Sequence, residues 1–356
     1  MSALLTGKLP PPLLARLLAR APATDPAIVL PPGLGLDCAV LDLGDRLLVL
    51  KSDPITFATD SIGWYLVQIN ANDLATTGAT PRWLLLTMLL PEACAPEQVE
   101  AWAEQVYAAC RAAKISVIGG HTEITHGLDR PILSGTLIGE VTRDRLITPR
   151  GARPGDRVLL TKGVPIEGTA LAAREFAPRL AAVLSPAELA EAQAFLTRPG
   201  ISVLRDAHLA TAAGCVTAMH DPTEGGLLSA LWELAEASGH TLLIDPAAIP
   251  IPLLSARVCA ALGLNPLATI ASGALLLTAA PADVSAIQAA LVAGGIPCAD
   301  IGVVQAGAPQ ACSAAGPLPR PARDDIARLF DTARLFDTAA SPSGTTRLDL
   351  TRPPAT

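Results

Sequence analysis

Three aspartates interrupt apolar runs between Gly33 and Pro81. Asp37 follows the turn GLG, Asp53 follows the run LLVLKS and precedes Pro54, and Asp73 lies inside INANDLATTG. Carboxylates are seldom buried unless they are paired, hydrogen-bonded or metal-bound. Three at the ends of separate elements can converge on a hard cation, and a hard cation in turn holds phosphates. Asn70, Asp73 and Thr77 fall on one helical line beside Ile62, Leu66 and Ile69, and an aspartate in mid-helix needs a partner. Spacing alone leaves two readings open: metal–phosphate work, or ordinary turn and surface aspartates.

A second set lies downstream in HDPTEGGLLSALWELAEASG, from His220. Asp221 can orient a nucleophile or accept its proton, and Glu224 can cap the helix that follows. Gly225 and Gly226 would leave backbone N–H groups free at that helix's first turn, a position that binds anions. Simple capping is the plainer alternative. In GGHTEITHGLDR, Gly119 and Gly120 permit close backbone approach, and His121 and Glu123 are expected on a loop after a short buried strand. His121, Glu123 and His126 imitate a zinc set, but no further ligand motif supports one, so a cleft role or surface placement is favoured. TKGVPIEGTA puts Lys162 at a strand end, to neutralise a phosphate or merely to occupy a turn. GLGLD matches neither GxGxxG before a helix nor GxxxxGK[ST].

The elements that must position these residues alternate. Strands are expected at 36–41, 46–52, 83–90, 115–118 and 131–141, with helices at 61–77, capped by Asp60, and 95–113. The run ITPRGARPGDRVLLTKG, rich in proline, glycine and charge, marks a boundary near 148–155. Beyond it, strands at 157–161, 215–219, 241–244, 274–278 and 298–304 alternate with helices at 167–174, from Ser185, at 202–213, after HDPTEGG, and at 253–261 and 284–293. The expectation is an α/β (α+β) chain of two domains, 33–150 and 151–306. A flexible arm (1–32) with one short amphipathic helix precedes them, and a flexible tail (307–356) containing RLFDT twice follows.

Half of the 356 residues are apolar and 17% are charged, enough for two ordinary cores. Net charge is −7, with no basic tract and few aromatics, which disfavours a nucleic-acid partner. Seven scattered cysteines without CxxC suggest reduced thiols and a cytoplasmic protein. No uncharged run is long enough to cross a bilayer, and the N-terminus reads as an arm in preference to a signal peptide.

Taken together, GLGLDCAVL, SDPITF, INANDLATTGATPRWLLLTMLLP, GGHTEITHGLDRPI, GARPGDRVLLTKG, IEGTA, TAMHDPTEGG and LGLNPLATIASGALL resemble one superfamily across residues 33–305. It contains aminoimidazole ribonucleotide (AIR) synthase, selenophosphate synthetase, thiamine-monophosphate kinase and, with the strongest likeness, the hydrogenase maturation factor HypE. The resemblance implies an AIR synthase-like two-domain fold whose N-terminal strands pair across a homodimer, with ATP in a cleft between domains and subunits. It implies that Asp37, Asp53 and Asp73 hold Mg2+ and the ATP phosphates, with Asn70 and Asn72 beside them. Gly119, Gly120, His121 and Glu123 would line the cleft, and Lys162, Asp221, Glu224, Gly225 and Gly226 would approach from the second domain. A maturation or carbamoyl-transfer protein is the implied partner. Two departures stand out. Leu36 and Cys38 replace a glutamate and an alanine of the family's GxGEDAA, and the sequence ends DLTRPPAT where the family ends in a reactive cysteine. The second departure implies an acceptor other than a C-terminal thiol of this chain. The alternatives are a non-catalytic nucleotide-binding maturation partner and a small-metabolite kinase.

Overall fold

The computed structural model describes residues 8–331 except 57 and 59. The first part of the chain runs α1 (Pro11–Leu18), β1 (Ile28–Leu30), β2 (Ala39–Asp42), β3 (Leu47–Ile55), α2 (Ile62–Thr76), β4 (Thr80–Leu90), α3 (Pro96–Ala113), β5 (Ser116–Ile124) and β6 (Ile132–Val141). Its sheet has the order β1-β2-β3-β6-β4-β5, antiparallel except for the β4–β5 pair. The second part continues with β7 (Arg157–Thr161), α4 (Ile166–Glu175), α5 (Ala177–Leu180), α6 (Pro186–Ala194), α7 (Leu204–Ala213), β8 (Val216–His220), α8 (Gly226–Ser238) and β9 (Thr241–Ile244). It ends with α9 (Leu253–Leu262), β10 (Leu276–Ala279), α10 (Val284–Ala293), β11 (Cys298–Gln305), β12 (Gln310–Ser313) and β13 (Gly316–Pro317). The second sheet has the order β13-β12-β9-β11-β7-β10-β8.

Helix α2 is the centrepiece of the first unit. Every residue in it except Trp64 is buried, as suits a helix apolar on nearly all sides. Leu66 and Leu74 are fully enclosed, each contributing roughly 1.5–3 kcal/mol by leaving water. Its buried polar side chains are committed to neighbouring elements. Asn72 donates to the Ile201 carbonyl (2.7 Å) and accepts from the Val203 N–H (2.8 Å), so one amide ties α2 to the segment leading into α7. Asp60 does not cap this helix. The N-cap position is Ser61, at positive φ and without a side-chain cap, because the Asp60 carboxylate is drawn to Arg174. The expected capping box at Ser185 is present, with Glu188 as its reciprocal partner.

Three segments differ from the sequence expectation. The strand expected at 115–118 as short and buried extends to Ile124 and is exposed along its whole length, because β5 is the sheet's last strand. The arm contributes β1 to the first sheet and α1 ahead of it. Residues 307–331, expected as tail, add β12 and β13 to the second sheet, and Ile326 and Leu329 join the core. Apolar pairing holds them there: β12 lies parallel to β9, and Phe330 meets Phe176 edge-to-face at 5.2 Å. The second RLFDT lies outside the described residues. No described helix is long and apolar enough to cross a membrane.

Candidate functional site

Strand β3 alternates its side chains, so Lys51 and Asp53 leave the same face. That face meets α2, and the Lys51 ammonium lies 3.1 Å from both Asp53 and Asp73. Asn70 fixes the register of this contact: its Oδ1 accepts from the Asp53 N–H at 3.1 Å, while its Nδ2 donates to the Leu66 carbonyl at 2.9 Å. Asn70 therefore positions Asp53 through the backbone, and its amide is already used.

Asp37 reaches the same place from the turn before β2. Gly35 makes that turn at φ +67°, and a Cβ there would stand 2.9 Å from the Glu233 carbonyl oxygen on α8. The turn brings Asp37 to His220, at the end of β8. The imidazole lies between two carboxylates, with Nδ1 2.9 Å from Asp37 and Nε2 2.8 Å from Glu233. Burial works against its charge, but the two carboxylates outweigh it and hold the imidazole protonated well above its usual range. Asp37 is likewise disfavoured by burial, yet His220 and Lys51 hold it well below the usual carboxylate range.

Asp221, next in sequence, is fully buried, and neither of its oxygens receives a hydrogen bond from a conventional donor among the described residues. Burial and the nearby Asp37 push it up to about 6. Asp73 is pushed well up by burial and by the charges of Asp221, Asp37 and Asp53, with Lys51 opposing. Asp37, His220 and Asp221 offer ligand atoms all within 4.8 Å of one another. A histidinium between two carboxylates is a charge partner and not a metal ligand, so the donors suited to a hard cation here are carboxylate oxygens.

Asp37, Asp53, Asp73 and Asp221 thus come together from a turn, a strand, a helix and a strand end. Several other residues singled out in the sequence are placed elsewhere. Gly225 and Gly226 do not leave free N–H groups. The Gly225 N–H donates to Asp324 at 2.6 Å, because residues 318–331 fold back over the start of α8, and the Gly226 N–H donates within a local turn to the Thr223 carbonyl at 2.9 Å. Glu224 accepts from the backbone N–H of Lys8 at 3.1 Å, and the Lys8 ammonium lies 3.2 Å from the Thr223 hydroxyl. Lys162 is buried and spent, donating to the Ser202 carbonyl at 2.6 Å and pairing with Asp206 at 3.0 Å.

Gly119, Gly120, His121 and Glu123 lie in β5 itself, not in a loop. In register, Asp53 opposes Gly135, Gly135 opposes Leu86, and Leu86 opposes Gly120. Three strand spacings put Gly120 roughly 14 Å from Asp53 within one chain. His121 bonds Glu123 at 3.0 Å, whereas His126 pairs with Glu92 at 3.1 Å, so the imitated zinc set does not assemble.

Sequence reasoning missed Lys51, Glu233, Lys8 and Asp324 and underrated His220. A lysine inside LLVLKSDPI, two residues before an aspartate, was a usable signal. Lys8 and Asp324 had none, since both reach the start of α8 from remote parts of the chain.

Models of two AIR synthase related protein domains match the chain, the N-terminal domain over residues 35–141 and the C-terminal domain over 153–312. The chain belongs to the AIR synthase related family. It is HypE-like within it. A putative hydrogenase expression/formation protein of Methanocaldococcus jannaschii is 30% identical over 265 residues, 70% of this chain and 74% of that protein. The carbamoyl dehydratase HypE of Cupriavidus necator is 30% identical over 244 residues, 67% of this chain and 65% of that one, so just under two thirds of its length is spanned. A crystal structure of HypE in complex with ATP superposes with a TM-score of 0.65 at 25% identity, covering 84% of this chain and 92% of the other. Thiamine monophosphate kinase from Aquifex aeolicus shares the fold (TM-score 0.63, 21% identity, 80% and 92% covered).

Proposed function

We propose that the chain is a magnesium-dependent, ATP-binding enzyme that activates an acceptor by phosphoryl transfer, in the manner of HypE. One observation carries this reading: four aspartates from separate elements converge, Asp37 with Asp221 beside His220 and Asp53 with Asp73 about Lys51, and Asp221 is buried with no conventional donor among the described residues. Leaving such groups orphaned costs about 1–3 kcal/mol each, which a protein tolerates where a ligand completes them. Oxygen-only donors fit magnesium, and Asp37, Asp53 and Asp73 are the residues that would hold it. The ion would supply charge neutralisation for the triphosphate. His220, itself held protonated with the help of Glu233, and Lys51 keep Asp37 ionised, Lys51 sets the spacing of Asp53 and Asp73, and Asp221, with a pKa of about 6, would accept a proton from the acceptor. Lys162 is left out of the chemistry, since Asp206 and Ser202 already hold it.

Two finer readings follow. A solved HypE–HypF complex shares the fold (TM-score 0.66, 19% identity), and a partner of that kind is our proposal for the acceptor's source. Among the described residues no strand pairs on the outer side of β5, and Val117, Ile118 and Ile124 are exposed along it. An open apolar edge favours strand pairing, and a second copy paired there would bury Gly119, Gly120, His121 and Glu123 between subunits. The seven free cysteines suit a reducing, cytoplasmic setting.

The test is calorimetric titration of ATP with and without magnesium, beside a phosphate-release assay, on wild type and Asp53→Asn. Magnesium-dependent binding should weaken by ~30-fold or more in the variant, about 2 kcal/mol. Equal binding and turnover in both proteins would remove Asp53 from the site and this reading with it. Binding without turnover would favour the non-catalytic maturation partner, and a phosphorylated small molecule would favour the kinase.

A further inference from the structure

A cavity of about 720 Å³ shares no lining residue with the carboxylate cluster. Its walls are the end of α2 with Gly78, the connecting segment 144–153, and α7 with the start of β8. Cavities of about 300–1,000 Å³ are the usual size for small-molecule sites, and the junction of two structural units is a usual place for them.

The charge of this lining is unlike the rest of the chain. Arg145 and Arg153 both line it, and α7 contributes His208 and Thr211. Two flanking arginines are spent: Arg143 pairs with Asp42, and Arg157 grips Asp300 through bonds of 2.7 and 2.8 Å. Arg145 and Arg153 have no such carboxylate among the described residues. The wall's one acid is Asp144, so the lining carries two exposed arginines and one aspartate in a protein of net charge −7.

Solvated arginines on a connecting segment are common, but this segment is pinned. The Arg145 N–H donates to the Thr142 carbonyl at 3.0 Å, the Ile147 N–H to the Thr77 carbonyl at 3.0 Å, and the Arg153 N–H to Asp156 at 2.9 Å. Two unspent guanidiniums on a fixed backbone are half of a bidentate arginine–carboxylate or arginine–phosphate pair, and fixing the backbone beforehand lowers the entropy that binding must lose.

We propose that this cavity is a second ligand site, which takes a small anion carrying two or more carboxylate or phosphate groups between Arg145 and Arg153. The His208 imidazole offers a further N–H donor at its α7 wall, where the Thr211 hydroxyl is already committed to the Ala207 carbonyl at 2.8 Å. The proposal does not depend on the nucleotide reading.

The test is calorimetric titration of the full chain at constant ionic strength, with citrate and pyrophosphate as probes and acetate as the singly charged control. At least one probe should bind tenfold or more tighter than acetate, and which one does tells carboxylate from phosphate chemistry. The double variant Arg145→Ala/Arg153→Ala should lose tenfold or more of that affinity while keeping its unfolding midpoint. Asp144→Asn keeps both arginines, so it remains informative if the double variant folds poorly, and it should tighten binding several-fold. Probes no tighter than acetate, or affinity unchanged in both variants, would overturn the proposal. So would affinity lost in Asp53→Asn and kept in the double arginine variant, which would place the probe at the carboxylate cluster. Magnesium–ATP titrated into the same proteins separates the two readings: failure to bind ATP would remove the proposed function and leave this site standing.

Discussion

Around Lys51 and His220, four aspartates meet two cations held by ion pairs, whereas at the starts of α4 and α8 the acids Glu167, Glu224 and Asp324 have no side-chain ion pair among the described residues, and Lys8 meets Glu224 by its backbone N–H. Both places are rich in carboxyl groups, and their electrostatics differ accordingly. In the first, Asp37 is held ionised by its partners. In the second, burial pushes Glu167 up to about 7 and Asp324 up to about 7, with Glu224 adding to both. The Glu167 Oε2 is buried without a hydrogen-bond partner. The first place keeps Asp37 charged between cations even as burial raises Asp73 and Asp221, whereas at the second burial raises the acids with no ion pair among the described residues to oppose it.

The largest effect that would break this contrast is Lys51→Met. It removes the cation between Asp53 and Asp73 and should cost about 3–5 kcal/mol, the usual consequence of leaving a buried partner uncompensated. Urea unfolding at pH 7 measures it. Adding Asp73→Asn should recover much of the loss, and a double variant as unstable as the single would mean that Lys51 acts through packing of its stem.

How much of this was legible in the sequence follows the same division. Asp37, Asp53, Asp73 and Asp221 stand in short motifs whose spacing and breaks in hydrophobicity are local, and the elements that carry them matched the helical and alternating periods of the chain. The plugged start of α8 was not legible. Gly225 reads as an open donor because nothing nearby names the residue that fills it, and Asp324 arrives from 99 residues away, while the Gly226 N–H is taken by the local turn at Thr223. Gly119 to Glu123 were misplaced for a related reason. An apolar run such as ISVI reads as buried, and only the strand order shows that β5 has no neighbour on its outer side among the described residues.

Glu167→Gln sharpens the contrast at intermediate size. Glu167 has its folded-state pKa raised from 4.5 to about 7, so between those values the folded protein holds a proton that the unfolded chain has released. For an acid shifted upward, stability falls as pH rises through that window and levels off above it. The amide does not titrate and keeps a donor, so the variant should gain on wild type as pH goes from 5 to 8, by up to about 3 kcal/mol. Urea midpoints at the two pH values report it. A gap that stays constant with pH would mean Glu167 is ionised in the fold, and the two acidic places would then not differ as argued.

The smallest effect, at Asp324, separates what its carboxyl does by shape from what it does by charge. Its oxygens accept from the Gly225 N–H at 2.6 Å and the Ile326 N–H at 2.9 Å, so it caps the start of α8. A charge at a helix N-terminus is ordinarily favourable, but burial leads the shift upward and Glu224 and Asp325 add to it, so here the charge is opposed on balance. Asp324→Ala loses both acceptors and should cost about 1–2 kcal/mol at pH 5 and less at pH 8, because the wild type loses stability as its raised carboxyl ionises while alanine does not titrate. Asp324→Asn keeps an acceptor oxygen and discards only the charge, so it should cost less than alanine at both pH values and come closest to wild type at pH 8, where the native carboxyl is ionised against its surroundings. Unfolding of both variants at both pH values gives the comparison. Asparagine as costly as alanine at pH 8 would show the cap to be electrostatic, and the start of α8 would then resemble the charge-bearing cluster around Lys51.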